Sequence, residues 1–114
     1  ENRKQGNYQI ARNGWIADYN DPCSFLDMWY TDGGNNDAQY SNPDYDAAID
    51  AAKATSDPAE RMKAFHEAED ILIGQDSVLA PIYFYTQPYM LNPDIDGMYY
   101  TPLGYFFFGY TTKK

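Results

Sequence analysis

The chain has 114 residues, with eight Lys and Arg against seventeen Asp and Glu and a net charge of −9. So acidic a chain excludes binding to phosphate backbones or anionic lipid, both of which need clustered basic side chains, and leaves cationic or zwitterionic partners open. At this length the chain is one domain or less and buries only about two-thirds of its unfolded surface, so a partial core is expected.

Taken in order, residues 1–6 are polar. Tyr8, Ile10 and Arg12 alternate with Gln9 and Ala11, which reads as a short strand over 8–12. Gly14 ends it, and Trp15 to Asn20 passes from a strand end into a loop. Asp21-Pro22 is a helix start, with the aspartate as N-cap and the proline at the first helical position, where its missing N–H costs nothing. This helix carries Phe25, Leu26 and Trp29 inward and stops before Asp32-Gly33-Gly34, a turn or mobile loop. Residues 35–41 are polar and aperiodic.

Asn42-Pro43 repeats the cap, and Tyr45, Ile49 and Ala52 at spacings of four and three give a helix to about Thr55 with one apolar stripe. Asp57-Pro58-Ala59-Glu60 starts a third helix with a pattern like a capping box. Met62, Phe65, Ala68 and Leu72 form its stripe, and Gly74 is its expected C-cap. The short connection predicts that these two helices pack as a hairpin. Val78 to Tyr85 is nearly continuous apolar sequence broken by Pro81, the pattern of a strand covered on both faces. Residues 87–91, 98–101 and 105–110 are further extended segments. Eleven of the twenty aromatic residues lie from Tyr83 onward, so this third of the chain must bury against something large.

Catalytic patterns are absent. Cys23 is the sole cysteine and His66 the sole histidine, and they fall in different helices, so no activated nucleophile pair, internal disulfide or cysteine-rich metal site is available. Cys23 reads as a small buried apolar residue. Glu67, Glu69 and Asp70 sit on the polar side of the third helix, and no metalloprotease, phosphate-loop or nucleophile-elbow pattern occurs. The aromatic tail lacks the interleaved basic residues that a base-stacking surface requires. No enzyme, cofactor, metal or nucleic-acid partner is expected. Asn35, Asn36 and Asp37 read as turn formers.

One stretch suggests a ligand. Asp18 stands three residues after Trp15, between an apolar run and a loop. A carboxylate there either caps a nearby backbone N–H or pairs with a cation from solution. Gly14, Trp15 and Ile16 precede it in an extended segment, whose edge could offer N–H and C=O groups to a peptide backbone, with glycine permitting close approach.

Gly14-Trp15-Ile16-Ala17-Asp18-Tyr19-Asn20-Asp21-Pro22, with Ser24-Phe25-Leu26, Asn35-Asn36 and Ser41-Asn42-Pro43-Asp44-Tyr45-Asp46, resembles the extracytoplasmic oligopeptide-binding proteins of bacterial ABC importers. The resemblance continues through 58–74 and 78–85 and so covers nearly the whole chain. It implies an α/β fold, with residues 1–114 a C-terminal segment of one lobe of a two-lobed, class II periplasmic-binding-protein architecture. Helices would pack on a mixed sheet, and residues from 93 to 114 would return to the other lobe. It further implies that Asp18 pairs with the α-amino group of a bound oligopeptide, that main-chain groups of Gly14 and Ile16 pair with the peptide backbone, and that Trp15 walls a side-chain pocket. The partners implied are a peptide, an ABC permease in the membrane and the remainder of the parent chain. The location implied is the periplasm or, as a lipoprotein, the cell surface. A relative that binds a dipeptide, nickel chelate or sugar is the alternative within binding, and a module that takes no ligand is the alternative outside it.

Overall fold

A computed structural model describes residues 2–114, which divide into one unit up to Pro81 and a second from Ile82 to Lys114. In the first, helix α1 (Cys23–Leu26) runs into a 3-10 turn (Asp27–Trp29), followed by α2 (Pro43–Ala54) and α3 (Pro58–Glu69). The helix then widens into a π-helical turn (Asp70–Gln75).

The caps follow the sequence closely. The Asn42 side chain accepts the Asp44 N–H, and the Asp57 carboxylate accepts the N–H groups of Ala59 and Glu60. The reciprocal half of a capping box is replaced, because the Asp57 N–H donates to Thr55 Oγ1. At α1 the helix begins one residue later than expected, yet the Asp21 carboxylate still accepts the Cys23 N–H. Gly74 is not the C-cap. The helix runs past it, the Asp76 N–H reaches back to the Ile71 carbonyl, and the chain turns at Ser77, which takes the left-handed conformation at φ 52. A five-residue backbone ring shifts the helix end beyond the glycine, an offset that side-chain periodicity does not register.

The α2 and α3 hairpin forms the core. Tyr45, Ile49, Ala52, Phe65, Ala68 and Leu72 are buried, joined by Cys23, Met28 and Trp29 from the α1 region. Burying these apolar side chains contributes about 1.5–3 kcal/mol each for the larger ones. Two expected core residues face outward. Phe25 is 45% exposed, since α1 is a single turn with one inner side, and Met62 is 41% exposed in the N-terminal half of α3. Polar ties fasten α1 and the loop after the 3-10 turn to α2: Tyr45 Oη donates to the Leu26 carbonyl at 2.5 Å, and the Thr31 N–H to Asp46 Oδ1 at 3.0 Å. Tyr40 Oη and Asn42 Nδ2 both donate to Asp76, and these bonds hold its carboxyl below the usual carboxylate range.

The second unit holds four two-residue strands, β1 (Ile95–Asp96), β2 (Tyr99–Tyr100), β3 (Phe106–Phe107) and β4 (Thr112–Lys113). They pair antiparallel as β1 with β4 and β2 with β3, in the registers Ile95 to Lys113 and Tyr99 to Phe107. The α/β class holds, but the expected mixed sheet is here a pair of antiparallel ribbons, since parallel neighbours would need crossover connections. Aromatic cross-strand pairs support one ribbon, with the Tyr99 and Phe107 rings stacked at 4.9 Å and Tyr100 against Phe106 at 5.0 Å. The runs expected as strands at 8–12, 78–85 and 87–91 form no ladder among the described residues. A strand exists only with a neighbour to bond to, and an apolar run says that it is covered without saying by what. Phe84 and Met90 are fully exposed, so the burial expected for this third of the chain is not met within it.

Candidate functional site

Residues 14–20 have no regular secondary structure, so a few side chains determine their course. Asn13 Oδ1 accepts the Gly14 N–H at 2.9 Å and a guanidinium hydrogen of Arg3 at 3.1 Å. Trp15 is half-buried against the helical core, with its indole N–H enclosed and unbonded among the described residues. The Asp18 N–H donates to Ser24 Oγ at 2.9 Å, and Ser24 is itself buried.

These contacts leave two kinds of group free. No backbone group of Trp15, Ile16 or Ala17 hydrogen-bonds to another described residue. The exposed Asp18 carboxylate likewise has no hydrogen bond or ion pair among the described residues. Its neighbour Asp21 is the opposite case. Both Asp21 oxygens bind Arg61, at 2.5 and 2.9 Å, and one of them also accepts the Cys23 N–H. The Arg61 hydrogen bond holds the Asp21 carboxyl below its ordinary value. The sequence places two similar carboxylates three residues apart, and the fold uses one for structure.

Two hollows flank Trp15. One, of about 290 Å³, is lined by Trp15, Asp18, Tyr19, Asp27 and Lys53 among others. The other, of about 260 Å³, includes Arg3, Lys4, Gly14, Trp15 and Asp37. Trp15, Met28, Gly34 and Asn35 border both, so the tryptophan and the glycine-asparagine turn form the partition. Of the expected site residues, Trp15 and Asp18 share a hollow, Gly14 lies on the far side of the tryptophan, and Ile16, 73% exposed, lines neither.

The Asp18 hollow is mixed in charge. Lys53 Nζ lies 2.5 Å from Asp27 Oδ1 and 5.3 Å from the Tyr30 ring centroid. Burial disfavours the Lys53 ammonium, but the hydrogen bond and charge of Asp27 outweigh it and raise the group above its ordinary value. Burial pushes the Tyr19 hydroxyl up, and the adjacent Cys23 thiol adds to this. Among the described residues no cluster of His, Cys, Asp and Glu could hold a metal ion.

Sequence reasoning missed Asn36, the organiser of the partition. Its buried amide donates to the carbonyls of Tyr40 at 2.7 Å and Tyr30 at 3.1 Å and accepts the Tyr40 N–H at 3.0 Å. Turn chemistry was legible there, whereas a buried crosslink across ten residues was not. Ser24, Asp21 with Arg61, and Asp27 with Lys53 were also missed, because partners twenty-six and forty residues apart leave no local signal.

No protein-family model matches the sequence. The periplasmic oligopeptide-binding protein OppA of Haemophilus influenzae is 39% identical over 97 residues, which are 85% of this chain and 18% of that protein. The dipeptide-binding protein DppE of Bacillus subtilis is 33% identical over 105 residues, 92% of this chain and 19% of the relative. Among solved structures, the unliganded open form of MppA, a periplasmic murein tripeptide binding protein, is similar with a TM-score of 0.64 and 30% identity, over 67% of this chain and 15% of that one. The peptide-binding protein of a peptide ABC transporter is similar with a TM-score of 0.59 and 32% identity, over 67% of this chain and 34% of its own. The chain thus spans 18 to 19% of the length of these curated relatives. Those relatives are binding proteins rather than enzymes.

Proposed function

We infer that this chain, which over the segment it spans belongs with the peptide-binding proteins of ABC transporters, supplies the anchor for the amino terminus of a captured peptide. Asp18 pairs with the peptide α-ammonium. Main-chain groups at Gly14 and Ile16 pair with the peptide backbone by strand addition, and Trp15 walls the space for a side chain. The observation that carries this reading is the contrast between two neighbouring carboxylates. Asp21 is consumed by Arg61 and a helix cap, while Asp18 is held by its backbone and presents, beside Trp15 and Tyr19, a carboxylate with no partner among the described residues. The free backbone groups of Trp15 to Ala17 support strand addition.

In the whole protein this segment belongs to one of two lobes that close over the peptide, with residues 93–114 returning to the other lobe. Closure then signals to the membrane permease. The protein works outside the cytoplasm, in the periplasm or anchored at the cell surface. Enclosure by the second lobe strengthens the ion pair, because a desolvated charge is costly when left alone.

The test is calorimetric titration of a full-length peptide-binding protein carrying this segment, with tri- to pentapeptides whose amino terminus is free or acetylated. Asp18→Asn keeps the shape and removes the charge. A loss of about 2 kcal/mol or more is expected for free-amino peptides alone, since removing one member of an enclosed ion pair is expensive. Equal binding by wild type and variant would return Asp18 to a purely local role.

A further inference from the structure

We propose that Arg61, acting through Asp21 and Ser24, is the positioning residue that aims the Asp18 carboxylate. The proposal rests on the reading of Asp18 as the anchor and adds the device that holds it. Asp18 lies in a segment without helix or strand, so nothing in regular backbone structure fixes it. Its one hydrogen bond among the described residues is from its N–H to Ser24 Oγ. Ser24 is buried at the first turn of α1, and its own N–H donates to the Asp21 carbonyl at 3.1 Å. Asp18 and the start of α1 therefore move as one piece.

That piece is short. Helix α1 has four residues and cannot hold its orientation by itself, since isolated helices below about 12 residues are marginal in water. Arg61 supplies the external tie. Its two terminal nitrogens grip both Asp21 oxygens, its Nε donates to the Ala52 carbonyl near the end of α2 at 3.1 Å, and its guanidinium lies 4.7 Å from the Phe65 ring centroid in the core. One planar fork thus references the Asp18 loop to both long helices. The planar geometry matters, because a lysine ammonium at the same position supplies charge without the fork. Arg61 also neutralises Asp21, so that a ligand ammonium meets one unpaired carboxylate at this turn rather than two.

An ion pair aimed from a rigid support loses strength when the support loosens, even with both charges retained. The experiment uses Arg61→Lys and Ser24→Ala, singly and combined with Asp18→Asn, in a full-length peptide-binding protein carrying this segment. The readout is the ratio of Kd for an acetylated peptide to Kd for its free-amino counterpart. Arg61→Lys is expected to lower that ratio about tenfold and Ser24→Ala about threefold to fivefold, in line with one lost charge-assisted or neutral hydrogen bond. In the Asp18→Asn background neither is expected to change it further.

A ratio of one in the wild type would overturn the anchor reading itself. A ratio that Asp18→Asn abolishes but Arg61→Lys and Ser24→Ala leave unchanged would overturn the positioning role alone. Equal weakening of free and acetylated peptides would make Arg61 a strut of the fold and would also overturn it. Should Arg61→Lys fail to fold, Ser24→Ala decides the same question, because it breaks the last link without touching the ion pair.

Discussion

Replacing Asn36 with alanine should open the partition between the two hollows. The asparagine amide donates to the Tyr40 and Tyr30 carbonyls and accepts the Tyr40 N–H, and these bonds close the turn from Trp29 to Tyr40. Alanine removes all three and leaves the Tyr40 carbonyl and N–H without these partners, while the Tyr30 carbonyl keeps the Gly33 N–H. At about 1 kcal/mol net per bond the sum is about 3 kcal/mol, and water entering the opened turn recovers part of it, for an expected local cost of about 2–3 kcal/mol. Native-state hydrogen exchange reads this directly, because the Tyr40 amide is one of the affected donors. Its protection factor should fall by roughly 30- to 150-fold, the equivalent of that free energy at 1.4 kcal/mol per decade. Protection within threefold of wild type would refute the assignment of Asn36 as the crosslink. Asn36→Asp separates the donors from the acceptor, since a carboxylate still accepts from Tyr40 but faces two carbonyls. Protonation supplies a donor, so the folded-state pKa of that aspartate is raised. Stability in this variant should be highest below the unfolded pKa of about 3.9 and be lost as pH rises through the folded value.

Two further outcomes follow from other contacts. The Asp21 carboxyl lies below its ordinary value of 3.8, chiefly through the Arg61 hydrogen bond. A depressed pKa contributes stability that is present above the unfolded value and is lost as pH falls through the folded one, so the denaturation midpoint should drop below about pH 4 with a slope that Asp21→Asn reduces. Gly97 adopts φ +79, and a Cβ there would stand 2.0 Å from the Tyr110 carbonyl oxygen. Gly97→Ala should therefore break the pairing of β1 with β4, seen as loss of NMR contacts between Asp96 and Thr112, while Gly109→Ala, with nothing within 4 Å, leaves them intact.

The long helices were legible because their causes are local. Asn42 and Asp57 each bond to the N–H groups immediately after them, and Tyr45, Ile49, Ala52, Phe65, Ala68 and Leu72 recur at the helical period, so short sequence windows contain the information. The family resemblance was legible for the same reason, since Gly14 to Pro22 is one continuous motif. Tertiary structure decided which carboxylate of that motif meets a cation within the chain, beyond the local cap that Asp21 makes to the Cys23 N–H. Asp21 and Asp18 are chemically alike, and the arrival of Arg61 from forty residues away pairs Asp21 while Asp18 has no ion pair among the described residues. The same holds for the strands expected at 8–12 and 78–85. An apolar alternation records that a segment can pair, but pairing is a relation between two backbones, and the second one is not written in the first.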